Sequence, residues 1–257
     1  MKRHALTILL AGIFCIPLCT SATAATQEST EEEQEMQNLP QWLVDFSNLP
    51  ENQRNKYIAL FNQAKGAYHQ SQWVNCISLL AQCEVILRGN PSIWNLRASC
   101  MLEQKYFKEA EAELKRVLEA APDDAVTIMN IAQVYMATGR YADSIAINTR
   151  LREDLYLQHS DESLLYALDY RILLCHLLLG QKDKAQAIAS TVSPVTDTPL
   201  YHYAKAAFAL VEGNRSAAAH YIGVANRIFA DNRAYIPFQR SLELSGLLDA
   251  TAPQRHP

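Results

Sequence analysis

From Ile93 to Pro122 the chain reads as two amphipathic helices joined by a tight turn, and the landmarks of this stretch recur at an interval of about 34 residues before and after it. Trp94 has Leu60 and Ile128 as counterparts, Ala98 has Ala64 and Ala132, Phe107 has Trp73 and Tyr141, and Ala110 has Cys76 and Ser144. A helix–turn–helix repeated at such a period cannot bury its apolar face alone and has to stack on its neighbours. The chain is therefore constrained to an all-α solenoid of antiparallel helix pairs.

Carried along the chain, this ruler marks five units: residues 50–90, 91–122, 123–156, 157–198 and 199–232. Gly139, Gly180 and Gly213 fall at the same place in three of them, where a first helix ends and a left-handed residue is useful. One interval is irregular. The step from Ser144 to Ala185 is longer than the others by seven residues, and the excess is expected to lengthen the helix that follows, with Ser160 as N-cap and Asp161 and Glu162 in its first turn. That helix carries the run Arg171-Ile172-Leu173-Leu174-Cys175-His176-Leu177-Leu178-Leu179, apolar nearly all round, and should be buried on most sides.

The ends of the chain have a different character. Met1 to Ala24 combines a basic start, an apolar run from Ala5 to Leu18 and the small residues Ala22-Thr23-Ala24, the layout of a secretory signal peptide cleaved after Ala24. The apolar run is shorter than the roughly 20 residues that span a bilayer. Residues 25–38, with the acidic run Glu31-Glu32-Glu33-Gln34-Glu35, read as a solvated tether. Leu39, Trp42, Leu43 and Phe46 then share one face of a leading helix within 39–49. Residues 233–250 read as a closing helix that covers the end of the array, and 251–257 as a tail. The mature chain should be periplasmic or secreted, without a transmembrane segment.

Composition narrows the chemistry. The formal charge of −4, with no basic stripe, argues against nucleic acid as partner. The motifs of zinc hydrolases, phosphate-binding loops and serine nucleophile elbows are missing, so no enzymatic activity, metal or cofactor is expected. Asp169 and His176 are expected to form a buried hydrogen-bonded pair rather than a catalytic one. Once the signal peptide has gone, Cys76, Cys83, Cys100 and Cys175 remain. Cys83 and Cys100 sit on neighbouring helices where export permits a bond, yet lone cysteines also serve as small hydrophobes.

Trp94, Ala98, Ala110 and Pro122 in the second unit, and Ile131, Ala132, Tyr135 and Gly139 in the third, resemble the tetratricopeptide repeat pattern. Arg97, Met101 and Leu114 stand where that pattern has Leu, Tyr and Phe, Ser144 replaces its Ala, and the third unit lacks the closing Pro. The resemblance implies a right-handed superhelix with Ala98, Ala110, Ala132 and Ala185 at the helix crossings. It also implies a concave face lined by the first helix of each pair. On this chain that lining is Ile58, Phe61, Lys65 and Tyr68, then Asn95, Ser99 and Leu102, then Met129, Gln133 and Met136, then Tyr170, Leu174 and Leu177, and finally Tyr203. Relatives that grip a C-terminal carboxylate place Lys, Arg and Asn there, whereas Phe61, Leu96 and Val126 occupy key places here. The expected ligand is therefore a protein or peptide presenting apolar side chains. Two alternatives stay open: the same surface could be covered by the chain's own terminal helices, or could join copies of the chain in a structural homo-oligomer.

Overall fold

The computed structural model describes residues 39–159 and 161–249, all of whose regular elements are helices. The expected signal peptide, the tether, the tail and the expected N-cap Ser160 lie outside the described residues. The chain divides after Asn48. Before that point, α1 (Gln41–Asn48) is a short helix with Trp42, Leu43 and Phe46 half-buried; Gln41 Nε2 donates to Asp45 Oδ1 at 2.8 Å across its outer side.

From Leu49 onward the helices come in pairs. These are α2 (Glu51–His69) with α3 (Trp73–Ile86), α4 (Pro91–Glu103) with α5 (Phe107–Ala120), and α6 (Ala125–Ala137) with α7 (Tyr141–Leu157). The last two are α8 (Glu162–Leu178) with α9 (Lys182–Ala189), and α10 (Leu200–Val211) with α11 (Arg215–Ile228). Partners pack on each other and each pair packs on the next. A single helix, α12 (Ile236–Leu244), follows with Pro237 in its first turn, where the missing N–H is no loss.

Every pair turns in the same way. The second residue after each first helix is left-handed: Ser71, Lys105, Gly139, Gly180 and Gly213, with φ between 58° and 81°. The next residue then donates its N–H back to a carbonyl of the helix's last turn, Tyr106 to Met101, Arg140 to Tyr135, Gln181 to His176 and Asn214 to Ala209 at 2.8 Å, and Gln72 to Ala67 at 2.9 Å. This six-to-one bond is the Schellman closure. Glycine takes the position without strain in three units; Ser71 and Lys105 hold it in the first two despite the crowding of Cβ against the carbonyl.

Inside each pair the small residues meet. Ala64, Ala98, Ala132, Cys76, Ala110, Ser144 and Ala185 have no exposed surface, which lets the helices approach to the short end of the usual 8–10 Å. Two departures from the repeat pattern acquire reasons. Ser144 tolerates burial because its Oγ donates to the Ala132 carbonyl at 2.8 Å. Arg97 replaces an apolar residue with charge that ties three helices: it pairs with Glu84 on α3 and with Glu113 on α5, the latter at 3.1 Å. Trp94 Nε1 donates to the same Glu84 at 3.0 Å, and the Arg116 guanidinium lies 3.7 Å from the Trp94 ring centre.

The seven-residue excess is divided rather than placed in one helix. α7 has 17 residues against 14 in α5, and α8 has 17 against 13 in α6. The N-cap of α8 is Asp161, whose side chain accepts from Ser163 N, one residue later than Ser160. The added turns lie together, with Leu155 and Leu165 in one apolar cluster.

Burial opposes ionisation of Glu84, but hydrogen bonds and charge from Arg97 prevail and hold its carboxyl below the ordinary glutamate value. A carboxylate with a lowered folded pKa stabilises above its unfolded value of 4.5 and loses that contribution as pH falls through the folded value. Arg97→Met should therefore lower stability at pH 7 by about 1–3 kcal/mol, and the gap from wild type should narrow below pH 4.5; urea unfolding at pH 7 and under acid checks both.

Candidate functional site

The face built by the first helices is where the expected lining residues lie, and α12 occupies much of it. It packs against α6, α8 and α10. Arg240 extends its reach to the first two units, with Nη1 donating to Tyr68 Oη of α2 at 2.9 Å and Nε 3.1 Å from Glu103 Oε1 of α4. The closing helix thus meets a first helix of every pair rather than only covering the end of the array.

Its apolar side explains the attachment. Phe238 enters between Tyr170 and Tyr203, with ring centres 5.4 and 5.7 Å away, and the two tyrosines meet edge to face at 5.8 Å. Leu242, one turn on, joins the same cluster, which also contains Met136, Leu174 and Leu177. Aromatic contacts of this kind add to the area they bury. Tyr203 Oη donates to Asn226 Oδ1 at 2.8 Å, while the Tyr170 hydroxyl is buried without a partner and burial raises its pKa.

The expected lining residues therefore separate into two groups. Met136, Tyr170, Leu174, Leu177, Tyr203 and Leu102 are buried, the first five within the core that Phe238 and Leu242 complete. As the chain is folded here, these five are interior rather than surface, because the face they share is apolar enough to draw in the chain's own helix. Ile58 remains exposed at 44%, Lys65 is exposed, and Phe61, Tyr68, Asn95, Ser99, Met129 and Gln133 are half-buried. Phe61 stacks on Tyr57, and Lys65 Nζ lies 5.1 Å from the Phe61 ring centre. Asn95, Ser99 and Asn130 form a polar strip: Asn130 Nδ2 donates to Asn95 Oδ1 at 2.9 Å and to Ser99 Oγ at 3.2 Å.

Between this strip and α12 lies a cavity of about 220 Å³. Tyr68, Ser99, Met129 and Gln133 line it, together with Asn130 and Arg171, which the repeat register did not select. Arg171 is 4% exposed. Its Nε donates to Ser241 Oγ at 3.3 Å, and its Nη1 has no hydrogen-bond partner. Burial pulls its pKa down to about 10, so the guanidinium is charged at neutral pH. The signal that could have found it is an arginine inside a run otherwise apolar on every side, in the same column as Asn130 when each is counted back from its turn glycine.

The expected pairing of Asp169 with His176 is not found. Asp169 pairs with Arg152 of α7, and His176 Nδ1 lies 2.8 Å from Gln181 Oε1 at the end of α8; the two residues do not pair because seven residues of helix set them about 10.5 Å apart along the axis. All four cysteines are buried and unbonded. Cys100 neighbours Cys76, whose proximity and burial raise its pKa, while the Cys83 thiol points to the Tyr57 carbonyl at 4.0 Å. Among the described residues no cluster of His, Cys, Asp and Glu could hold a metal ion, and no helix is long and apolar enough to cross a membrane.

Comparison with known proteins agrees with this architecture. Residues 101–157 match the tetratricopeptide repeat model, and a thermophilic tetratricopeptide protein of Thermus thermophilus superposes with a TM-score of 0.53. The fold is a tetratricopeptide-type helical solenoid. That structure is 16% identical, and the alignment covers 73% of this chain and 99% of the other, so the likeness is one of fold. The tetratricopeptide domain of P58(IPK) is 14% identical over 78% of this chain and 63% of that domain, with a TM-score of 0.35, too low to support an argument. No curated protein matches the sequence.

If Phe238 anchors α12, Phe238→Ala should cost about 3–5 kcal/mol, as for other buried aromatic truncations, and the amides of α12 should exchange faster than those of α4. Hydrogen exchange with urea unfolding measures both effects.

Proposed function

We propose that this chain is an exported, non-catalytic scaffold of a bacterial cell envelope that holds a protein or peptide partner on the first-helix face of its N-terminal units. Tetratricopeptide proteins generally mediate protein–protein interaction, and that general role is the starting point. The observation that carries the narrower reading is the unequal use of the face. The chain's own helix fills the part around Tyr170 and Tyr203, while Ile58, Phe61 and Lys65 keep accessible surface.

The way α12 docks also supports the choice of partner chemistry. Phe238 and Leu242, four residues apart on one side of a short helix, enter an apolar groove, the mode by which amphipathic helices are recognised. An amphipathic partner helix would find Phe61 and Met129 as apolar anchors and Lys65, Asn95, Ser99 and Gln133 as a polar border. Self-association through Met136, Tyr170, Leu174, Leu177 and Tyr203 would first require α12 to leave, so the structural-subunit reading is the less favoured.

Crosslinking in cells followed by mass spectrometry tests the proposal. Phe61→Glu and Met129→Glu should each abolish the crosslinked partner while the helical circular dichroism stays unchanged; a partner spectrum identical to wild type in both folded variants refutes the groove. Export has its own readout: the intact mass of the chain recovered from the envelope should correspond to residues 25–257, and a mass that retains residues 1–24 refutes cleavage.

A further inference from the structure

The geometry points to a second binding site, one for a small carboxylate, in the cavity between the first-helix face and α12, with the Arg171 guanidinium as its anchor. A buried guanidinium normally has a carboxylate opposite it, because the cost of removing the charge from water is otherwise not recovered. Among the described residues none lies within ion-pair distance of Arg171; its one hydrogen bond is to the Ser241 hydroxyl, and Nη1 is unpartnered. It nevertheless is one of the residues that line an open space of about 220 Å³.

The charges around that space settle the sign and number. Glu103 and Arg240 also line it, but they are bonded to each other at 3.1 Å and cancel. Arg171 is left as a single uncompensated positive charge. A carboxylate brings one negative charge and a planar pair of acceptors suited to guanidinium N–H groups. A phosphate dianion would bring a second charge with nothing to meet it. The Gln133 side chain on α6 lines the cavity too and makes no hydrogen bond among the described residues, so its amide is free to donate to the same ligand.

The remaining walls set the body of the ligand. Met129, Leu164 and Ile236 offer hydrocarbon. A volume of about 220 Å³ is below the ~300–1,000 Å³ of sites for larger ligands. That suits a short-chain aliphatic acid and not a folded peptide. The site is built from α2, α4, α6, α8 and α12; it shares Ser99, Met129 and Gln133 with the proposed partner face, but its argument does not rest on the partner reading above.

The probe is sodium pentanoate, with pentan-1-ol and inorganic phosphate as controls at constant ionic strength, titrated into the full mature chain by calorimetry and thermal unfolding. Pentanoate should bind saturably and raise Tm by about 5–10 °C at a hundred times Kd, and the alcohol should not. Arg171→Met should bind at least about ten-fold more weakly while its ligand-free stability stays equal to wild type or rises, since an unpaired charge has been removed. Gln133→Ala, which breaks no internal hydrogen bond, should weaken binding too and decides the matter if Arg171→Met does not fold. Phe61→Glu, at a residue that is not a wall of the cavity, should bind pentanoate normally, so failure of the partner reading and failure of this site are told apart. Absence of saturable pentanoate binding, an equal response to pentan-1-ol, phosphate bound in its place, or unchanged affinity in Arg171→Met or Gln133→Ala overturns the proposal.

Discussion

The close approach of two helices at a crossing of small residues is the contact on which the rest of this molecule depends. Ala98 against Ala110 and Ala132 against Ser144 are wholly buried, and they let larger neighbours such as Trp94, Leu114 and Ile131 close over the crossing. The left-handed turn fixes the angle at which the second helix returns. The same six-to-one hydrogen bond closes all five turns, so each second helix returns along its first in the same way although the helices differ in length. Ser71 and Lys105 show that the turn is required even where glycine is not supplied: the tertiary packing holds a backbone conformation that these residues would avoid in a free chain.

A repeated array leaves one face unsatisfied, and this chain deals with it internally. The first helices of the last three units carry Met136, Tyr170, Leu174, Leu177 and Tyr203 toward a common side, too apolar to remain wet. The closing helix supplies Phe238 and Leu242 to that side and sends Arg240 across to Tyr68, 172 residues away in the chain. The result is an array joined end to end along its inner face. Where the covering helix does not fill the space under it, a cavity remains with Arg171 at its wall. An arginine at that point is a net cost to folding unless a counter-charge arrives, which is why it is the residue in the core whose presence asks for a ligand.

What could be read from the sequence follows the range of the interactions. The period, the all-helical class and the left-handed turn glycines are local, each written within a single repeat, and they were legible. The lining columns were legible as columns, but not which of them would be covered, because the helix that completes the core around Met136, Tyr170, Leu174, Leu177 and Tyr203 comes from a segment with no repeat pattern of its own. Arg171 and Asn130 sit one residue beyond the column taken to face the groove, and become cavity wall only because α12 stands opposite. Asp169 and His176 share a helix but stand seven residues, about 10.5 Å, apart along it, so Arg152 on a neighbouring helix takes the carboxylate.

The irregular interval between the third and fourth units ties these observations together. Measured back from the turn glycine, α8 starts about one helical turn earlier than α6 does, Glu162 before Gly180 against Ala125 before Gly139, so the added turn of α8 is Glu162 to Leu165. Leu165 packs with Leu155, which belongs to the part of α7 that exceeds α5 in length; the two extensions support one another. Leu164, on the same added turn, is a wall of the cavity. A repeat of standard length would end before reaching that point, and the space in front of Arg171 would be bounded by solvent instead of leucine. The extra seven residues thus do more than lengthen the array: they give a buried cation a partly apolar chamber, in which its attraction for an anion is screened far less than it would be at the surface.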